Sequence, residues 1–191
     1  MTARSCHPRP SGAALARCAR YVAALAIGLI AGPVLGGAER VAYPANYQTT
    51  FVNYNQIERP DRKPAQVRFM YATRDAAAAA RAEEPVPDGA ILIMEDRAVK
   101  LDTDGQPLRD ADGRFIASDK VLNVFVQQKS RGWGEAYPAE KRNGDWEYAW
   151  FNADGSRREN AKFDGCFACH QSRAGRDFTF TFVKWVKDGK P

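Results

Sequence analysis

The stretch QVRFMYAT, Gln66 to Thr73, sets Val67, Phe69 and Tyr71 at every second position, with Gln66, Arg68 and Met70 between them. A repeat of two is that of an extended strand, whose successive side chains point to opposite faces of a sheet. Immediately after it, Asp75 to Glu84 (DAAAAARAEE) is built almost wholly from strong helix formers, and PVPDG then supplies the stop. Ahead of it, Tyr43 to Tyr54 (YPANYQTTFVNY) mixes aromatic and polar residues and reads as either a short helix or an opening strand.

From Ala90 onward the signals are again those of strands. AILIME leads into RAVKLDTDGQPLRDADGRFIAS, which carries two Asp-Gly pairs, and KVLNVFVQQK follows. Asp-Gly between apolar runs marks a hairpin, because glycine tolerates the positive φ that such turns require. DWEYAWF and NADG repeat the pattern, and DFTFTFVKWV alternates Phe178, Phe180 and Phe182 against Thr179 and Thr181. The expected fold is mainly β of the α+β class: an antiparallel sheet domain with one or two helices and, near its C-terminus, a C-x-x-C-H segment. No internal repeat or heptad pattern is visible, so one domain is expected over residues 39–191.

Residues 1–38 read as a cleavable secretory signal. Arg4, Arg9, Arg17 and Arg20 come without an acid, Val22 to Leu35 is an uncharged apolar run, and GGAER offers small residues for a cut after Ala38. The run is 14 residues, whereas a spanning helix needs roughly 20, so an uncleaved anchor is the lesser reading. Export to the periplasm is the expected location. Four of the 28 basic residues and none of the 23 acids lie in this segment, so the formal charge of +5 falls to +1 for the remainder. The basicity is a targeting feature, and the expected domain has no concentration of Lys and Arg suited to nucleic acid.

The segment also takes Cys6, Cys18 and His7 with it, leaving Cys166, Cys169 and His170 as the only cysteines and histidine of the mature chain. Three chemistries compete for CFACH, Cys166 to His170. A structural zinc wants four ligands, commonly from a second pair, and the mature chain has none to offer. A thioredoxin-like redox pair wants a βαβ setting, and the flanks carry hairpin signals instead. Covalent haem needs two thiols three positions apart, to form thioethers with the two vinyl groups, and an imidazole directly after them for the iron. That third reading accounts for all three residues. Haem c, one per chain, is the expected cofactor, with His170 as the metal ligand.

No second histidine remains for the other axial position. Met70 and Met94 are the only methionines past the signal, and both stand in apolar strand-like runs where Met usually fills core space. An open sixth position is therefore expected. Arg173 and Arg176 follow the motif closely enough to pair with haem propionates, with a solvated surface as the plain alternative. The acidic DTDGQPLRDADG places Gln106 and Pro107 where a calcium loop wants an acid and a glycine, so turns are expected there.

YPANY, FMYAT before an alanine-rich helix, VPDGAILI, VFVQQK, DWEYAWF and CFACHQSRAGRDFTFT, in that order, resemble the cytochrome P460 family, which includes the cytochromes c-prime-beta. The resemblance runs from about Tyr43 to Phe182. It implies an antiparallel β fold, a c-type haem with His170 proximal, and a hydrophobic distal pocket, and it divides into two branches. In one, a lysine cross-linked to the porphyrin and a distal carboxylate serve the oxidation of hydroxylamine to nitrogen oxides. The lysine should follow Tyr71-Ala72, where this chain has Thr73 and Arg74 and no lysine before Lys100. The carboxylate position falls at Ala149, or with a shift of two at Glu147, the candidate catalytic base. For that enzyme reading, Lys100 or Lys162 would have to be brought to the haem edge by the fold. In the other branch phenylalanines cap the iron, which binds nitric oxide and similar diatomic gases. By position Phe51 and Phe69 would form the cap, with Tyr71 and Ala149 beside them. The missing lysine favours the gas-binding branch over hydroxylamine oxidation, and a simple electron carrier with a Met ligand stands third. A periplasmic electron-transfer partner is implied, and a homodimer paired through the sheets is compatible with the family.

Overall fold

The computed structural model describes residues 37–190. The signal expected over residues 1–38 thus lies outside the described residues except for Gly37 and Ala38. No helix among the described residues is long and apolar enough to cross a membrane.

Five strands, β1 (Val52–Arg59), β2 (Gln66–Ala72), β3 (Ile91–Val99), β4 (Ala117–Lys129) and β5 (Trp146–Phe151), form one sheet in sequence order. Every neighbouring pair is antiparallel. Each strand expected from alternation between residues 66 and 151 is present. Tyr43 to Tyr54, open between helix and strand, divides into both: a single helical turn, α1 (Tyr47–Thr50), followed by the start of β1. The two Asp-Gly turns are near copies. Asp102 accepts backbone N–H groups of Asp104 and Gln106 through Oδ1, Asp110 does the same for Asp112 and Arg114, and the glycine of each sits at positive φ.

Three further short helices are α2 (Arg74–Ala79), α3 (Asp164–Gln171) and α4 (Phe182–Lys187), so four helices are described where one or two were expected. α2 stops five residues earlier than its composition suggests. Its last carbonyls are taken by side chains, with Arg81 Nη1 donating to Ala78, Ala79 and Ala80, and Lys190 Nζ donating to Ala77 and Ala80. These donors satisfy the acceptors that another helical turn would have used. The larger departure is DFTFTFVKWV, whose alternation predicts a strand. Asp177 and Phe178 instead take left-handed conformations, and from Phe182 the chain is helical. Phe182, Val183 and Val186 are buried, a helical spacing that period-two reading misses.

Both faces of the sheet are covered. On one, Ala72, Leu92, Trp146 and Tyr148 pack with Ala76 and Ala80 near α2 and with Phe182, Val183 and Val186 of α4. On the other, Tyr71, Ile93, Val124, Val126, Ala149 and Phe151 pack under Val41 and Tyr47 of the N-terminal segment. Gly134 permits a close approach beside β5, since a Cβ there would lie 2.0 Å from the Gly144 carbonyl oxygen.

Candidate haem site

α3 carries the C-x-x-C-H motif. Residues three and four apart share one face of a helix, so Cys166, Cys169 and His170 turn the same way, and all three line a cavity of about 400 Å3. The two cysteines form no disulfide with each other. Burial pushes the Cys166 thiol up, with the neighbouring Cys169 adding to the effect.

His170 is wedged between aromatic rings. Tyr148 of β5 lies 4.9 Å away centroid to centroid, and Phe180 meets it edge-on at 5.1 Å. Its Nδ1 stands 2.7 Å from the Phe178 carbonyl oxygen. A carbonyl can only accept, so Nδ1 donates and carries the ring proton, which leaves the lone pair on Nε2. Burial holds the His170 pKa below its ordinary value, partly opposed by that hydrogen bond. The imidazole is therefore neutral at neutral pH, with one nitrogen anchored and the other available to a metal.

Opposite α3 the cavity is walled by one face of the sheet. Met70 pairs with Met94 and Met94 with Phe125 across β2, β3 and β4, and all three line it. Leu92, Ile57 and Phe182 add further apolar surface. Polar groups at the wall are engaged elsewhere: Tyr54 Oη with Thr181 Oγ1 at 2.9 Å, Gln127 Nε2 with the Phe178 carbonyl at 3.1 Å, and Tyr148 Oη with Asn143 Nδ2 at 3.0 Å. Among the described residues Arg68 is the only charged side chain on the lining, and it is held in a two-point ion pair by Asp96 at 2.7 and 3.0 Å. A bulge between Asn53 and Asn55 leaves Tyr54 without a β2 partner, and Tyr54 lines the cavity.

The residues present fit a haem. One face supplies two thiols and a neutral imidazole, the other a mainly apolar wall, and the volume lies within the roughly 300–1,000 Å3 of small-molecule and cofactor sites.

A model of the cytochrome P460 family matches residues 44–181. The chain belongs to the cytochrome P460 family. No curated protein matches it. As a member of that family it is a haem cytochrome, and the cavity facing His170 is where its described residues can hold the group.

The structure brings together only some of the residues expected at the site of this P460-family cytochrome. Cys166, Cys169 and His170 line the cavity, and Ala149 borders it from β5 although its side chain packs with the cluster on the opposite face. Phe69 and Tyr71 do not line it. They have the opposite parity to Met70 on β2 and pack on the other face of the sheet, where Tyr71 meets Tyr47 at 5.3 Å and its phenol is pushed up to about 12, chiefly by burial. Phe51 packs against the same cluster. The expected phenylalanine cap is therefore separated from His170 by the sheet, and the apolar cover is formed instead by Met70, Met94 and Phe125.

Glu147 is also outside the cavity. It is 1% exposed, accepts from Tyr137 Oη at 2.5 Å and from the Tyr148 N–H at 3.1 Å, and borders a separate cavity behind α3 with Tyr137, Phe163 and Phe167. Burial raises its pKa above the ordinary carboxylate value. Arg173 stacks over Phe180 at 4.7 Å, and neither it nor Arg176 reaches the lining; both are exposed. Lys100 and Lys162 are exposed and away from the cavity as well. Sequence reasoning missed Arg68, Leu92, Gln127 and Phe180 as lining residues. The one usable signal was parity with Met70 and Met94, which identifies a set of residues without saying which set meets the haem.

Proposed function

We propose that this protein is an exported, periplasmic cytochrome whose haem is held covalently by Cys166 and Cys169, ligated by His170, and open on its other side to small uncharged ligands such as nitric oxide. The observation that carries this is the pairing of a locked imidazole, Nδ1 on the Phe178 carbonyl, with a facing wall that offers no base. Ferrous haem supplies an iron centre able to bind a diatomic gas without any proton transfer. The protein's part is to present Nε2 of His170, exclude water with Met70, Met94, Leu92 and Phe125, and hold the polar groups of the lining in bonds elsewhere, Arg68 with Asp96 and Tyr54 with Thr181.

Oxidation of hydroxylamine must shed protons and wants a base within hydrogen-bond reach. Among the described residues no carboxylate and no lysine lines the cavity, and Glu147 borders a separate cavity behind α3, where it accepts from Tyr137 and from the Tyr148 N–H. Such a site favours binding over turnover. One observation supports a second reading, that of an electron carrier: Met70 and Met94 both reach the cavity, and a thioether is a familiar sixth ligand. In either reading the redox partner is another periplasmic protein.

The absorption spectrum of the ferrous protein, with and without nitric oxide, tests the proposal. A high-spin spectrum that converts stoichiometrically on adding the gas is expected. A low-spin spectrum indifferent to it points to methionine ligation, and a Soret band strongly displaced to the red points to a cross-linked, hydroxylamine-oxidising haem.

A further inference from the structure

The hydrogen bond that orients His170 depends on an unusual piece of backbone. Asp177 and Phe178 are consecutive non-glycine residues at φ 46° and 57°. The left-handed region is tolerable for Asp but is a true outlier for a bulky residue such as Phe, and it persists only where the surroundings enforce it. Here they do so from three directions. The Phe178 N–H donates to the Arg173 carbonyl at 2.9 Å. Asp177 Oδ2 accepts from the Val86 N–H at 2.8 Å and from Lys129 Nζ at 2.7 Å, and the same ammonium donates to the Val86 carbonyl at 2.8 Å. The Lys129 and Asp177 side chains are only 12% and 15% exposed, so this pair is little screened by solvent. Finally, Gln127, two residues before Lys129 on β4, donates to the Phe178 carbonyl at 3.1 Å, sharing that oxygen with His170 Nδ1 at 2.7 Å.

We propose that Lys129, Asp177 and the Val86 backbone form a clamp that sets the donor strength of His170 by holding the Phe178 carbonyl on Nδ1, with Gln127 as a competing donor that moderates it. The inference rests on His170 being the iron ligand. A ring N–H that donates to a carbonyl gains electron density at its other nitrogen, which strengthens the metal bond and favours the oxidised metal. Loss of the clamp lets the carbonyl leave the ring and weakens His170 as a donor. Loss of Gln127 frees the whole carbonyl for His170 and strengthens it. Lys129 and Asp177 are thus positioning residues that act through a backbone oxygen and touch no ligand.

The test uses the haem-loaded protein and four variants: Asp177→Ala, Asp177→Asn, Lys129→Met and Gln127→Leu. Resonance Raman spectra of the ferrous form read the iron–histidine stretch, and spectroelectrochemistry reads the midpoint potential. D177A and K129M should lower the stretching frequency and raise the potential together. D177N, which keeps the left-handed preference and loses the charge, should fall between them and the wild type. Q127L should move both quantities the other way. A clamp that merely braces the fold lowers Tm and leaves band and potential unchanged, and that result in folded D177A or K129M overturns the proposal, as does Q127L shifting in the same direction as D177A. Should D177A fail to fold, K129M gives the decision, because the Asp177 backbone is then untouched. A wild type whose ferrous form is low-spin shows no such band and overturns the open-site reading alone, and the midpoint potentials of the variants then judge the clamp.

Discussion

Replacing Met70 or Met94 by Ala separates a packing role from a ligand role, and the structure sets the size of each outcome. Met70 is 9% exposed, faces Met94 across β2 and β3, and borders a cavity instead of being enclosed on all sides. Truncating a buried Met to Ala costs about 2–5 kcal/mol, and a side chain with an existing void beside it belongs at the lower end, about 2 kcal/mol. For a domain of this size each kcal/mol moves Tm by about 2–4 °C, so M70A should melt about 4–8 °C lower by circular dichroism. M94A, which is more exposed, should lose less. If the iron's sixth position is open, both variants keep the wild-type ferrous spectrum, and nitric oxide still converts it. A low-spin wild-type spectrum that turns high-spin in M70A or M94A would refute the open-site reasoning and establish that methionine as a ligand.

Other substitutions test separate parts of the structure. Glu147→Gln should leave gas binding unaltered, because Glu147 borders the separate cavity behind α3 and not the one that His170 lines. Its stability should also respond differently to pH. Burial raises the folded-state pKa of Glu147 above the ordinary 4.5, so the native protein retains a proton that the unfolded chain gives up, and the wild type loses that stability as pH rises through the folded value. The Tm difference, E147Q minus wild type, should therefore grow from pH 4 to pH 8, and a difference that stays flat refutes the assignment. Phe182→Ala removes a fully buried ring packed against Tyr54 and Trp185. It should cost about 3–5 kcal/mol and lower Tm by about 6–20 °C, with Phe182→Leu recovering most of the loss; a drop under about 3 °C would mean that α4 does not seal the core. The double variant C166S/C169S should lose the haem mass from the intact protein under denaturing mass spectrometry, and its retention would show a covalent link elsewhere.

What could be read before folding depended on local signals that tertiary contacts did not need to supply. The strands at Gln66–Ala72, Ile91–Val99, Ala117–Lys129 and Trp146–Phe151 follow from runs of β-branched and aromatic residues punctuated by Asp-Gly turns. DFTFTFVKWV misled because the same local alternation serves a different end. Its backbone is bent at Asp177 and Phe178 by contacts with Val86, Lys129 and His170, all distant in the chain except His170. The helix α2 was foreseeable from its alanines but its end was not, since Lys190 closes it from the far end of the chain.

By itself the sequence determined the address of the haem site, through the C-x-x-C-H run from Cys166 to His170, and the antiparallel sheet that faces it. Only the tertiary structure decided which side of that sheet is the wall of the site. Both sides are apolar, Phe69 and Tyr71 on one and Met70, Leu92 and Met94 on the other, so hydrophobic alternation fixes which residues travel together and not where they go. The choice follows from α3 and α4 docking over Tyr148 and Leu92 while Val41 and Tyr47 cover the opposite face. Those are packing energies between segments far apart in the chain, and no local pattern in β2 or β3 encodes them.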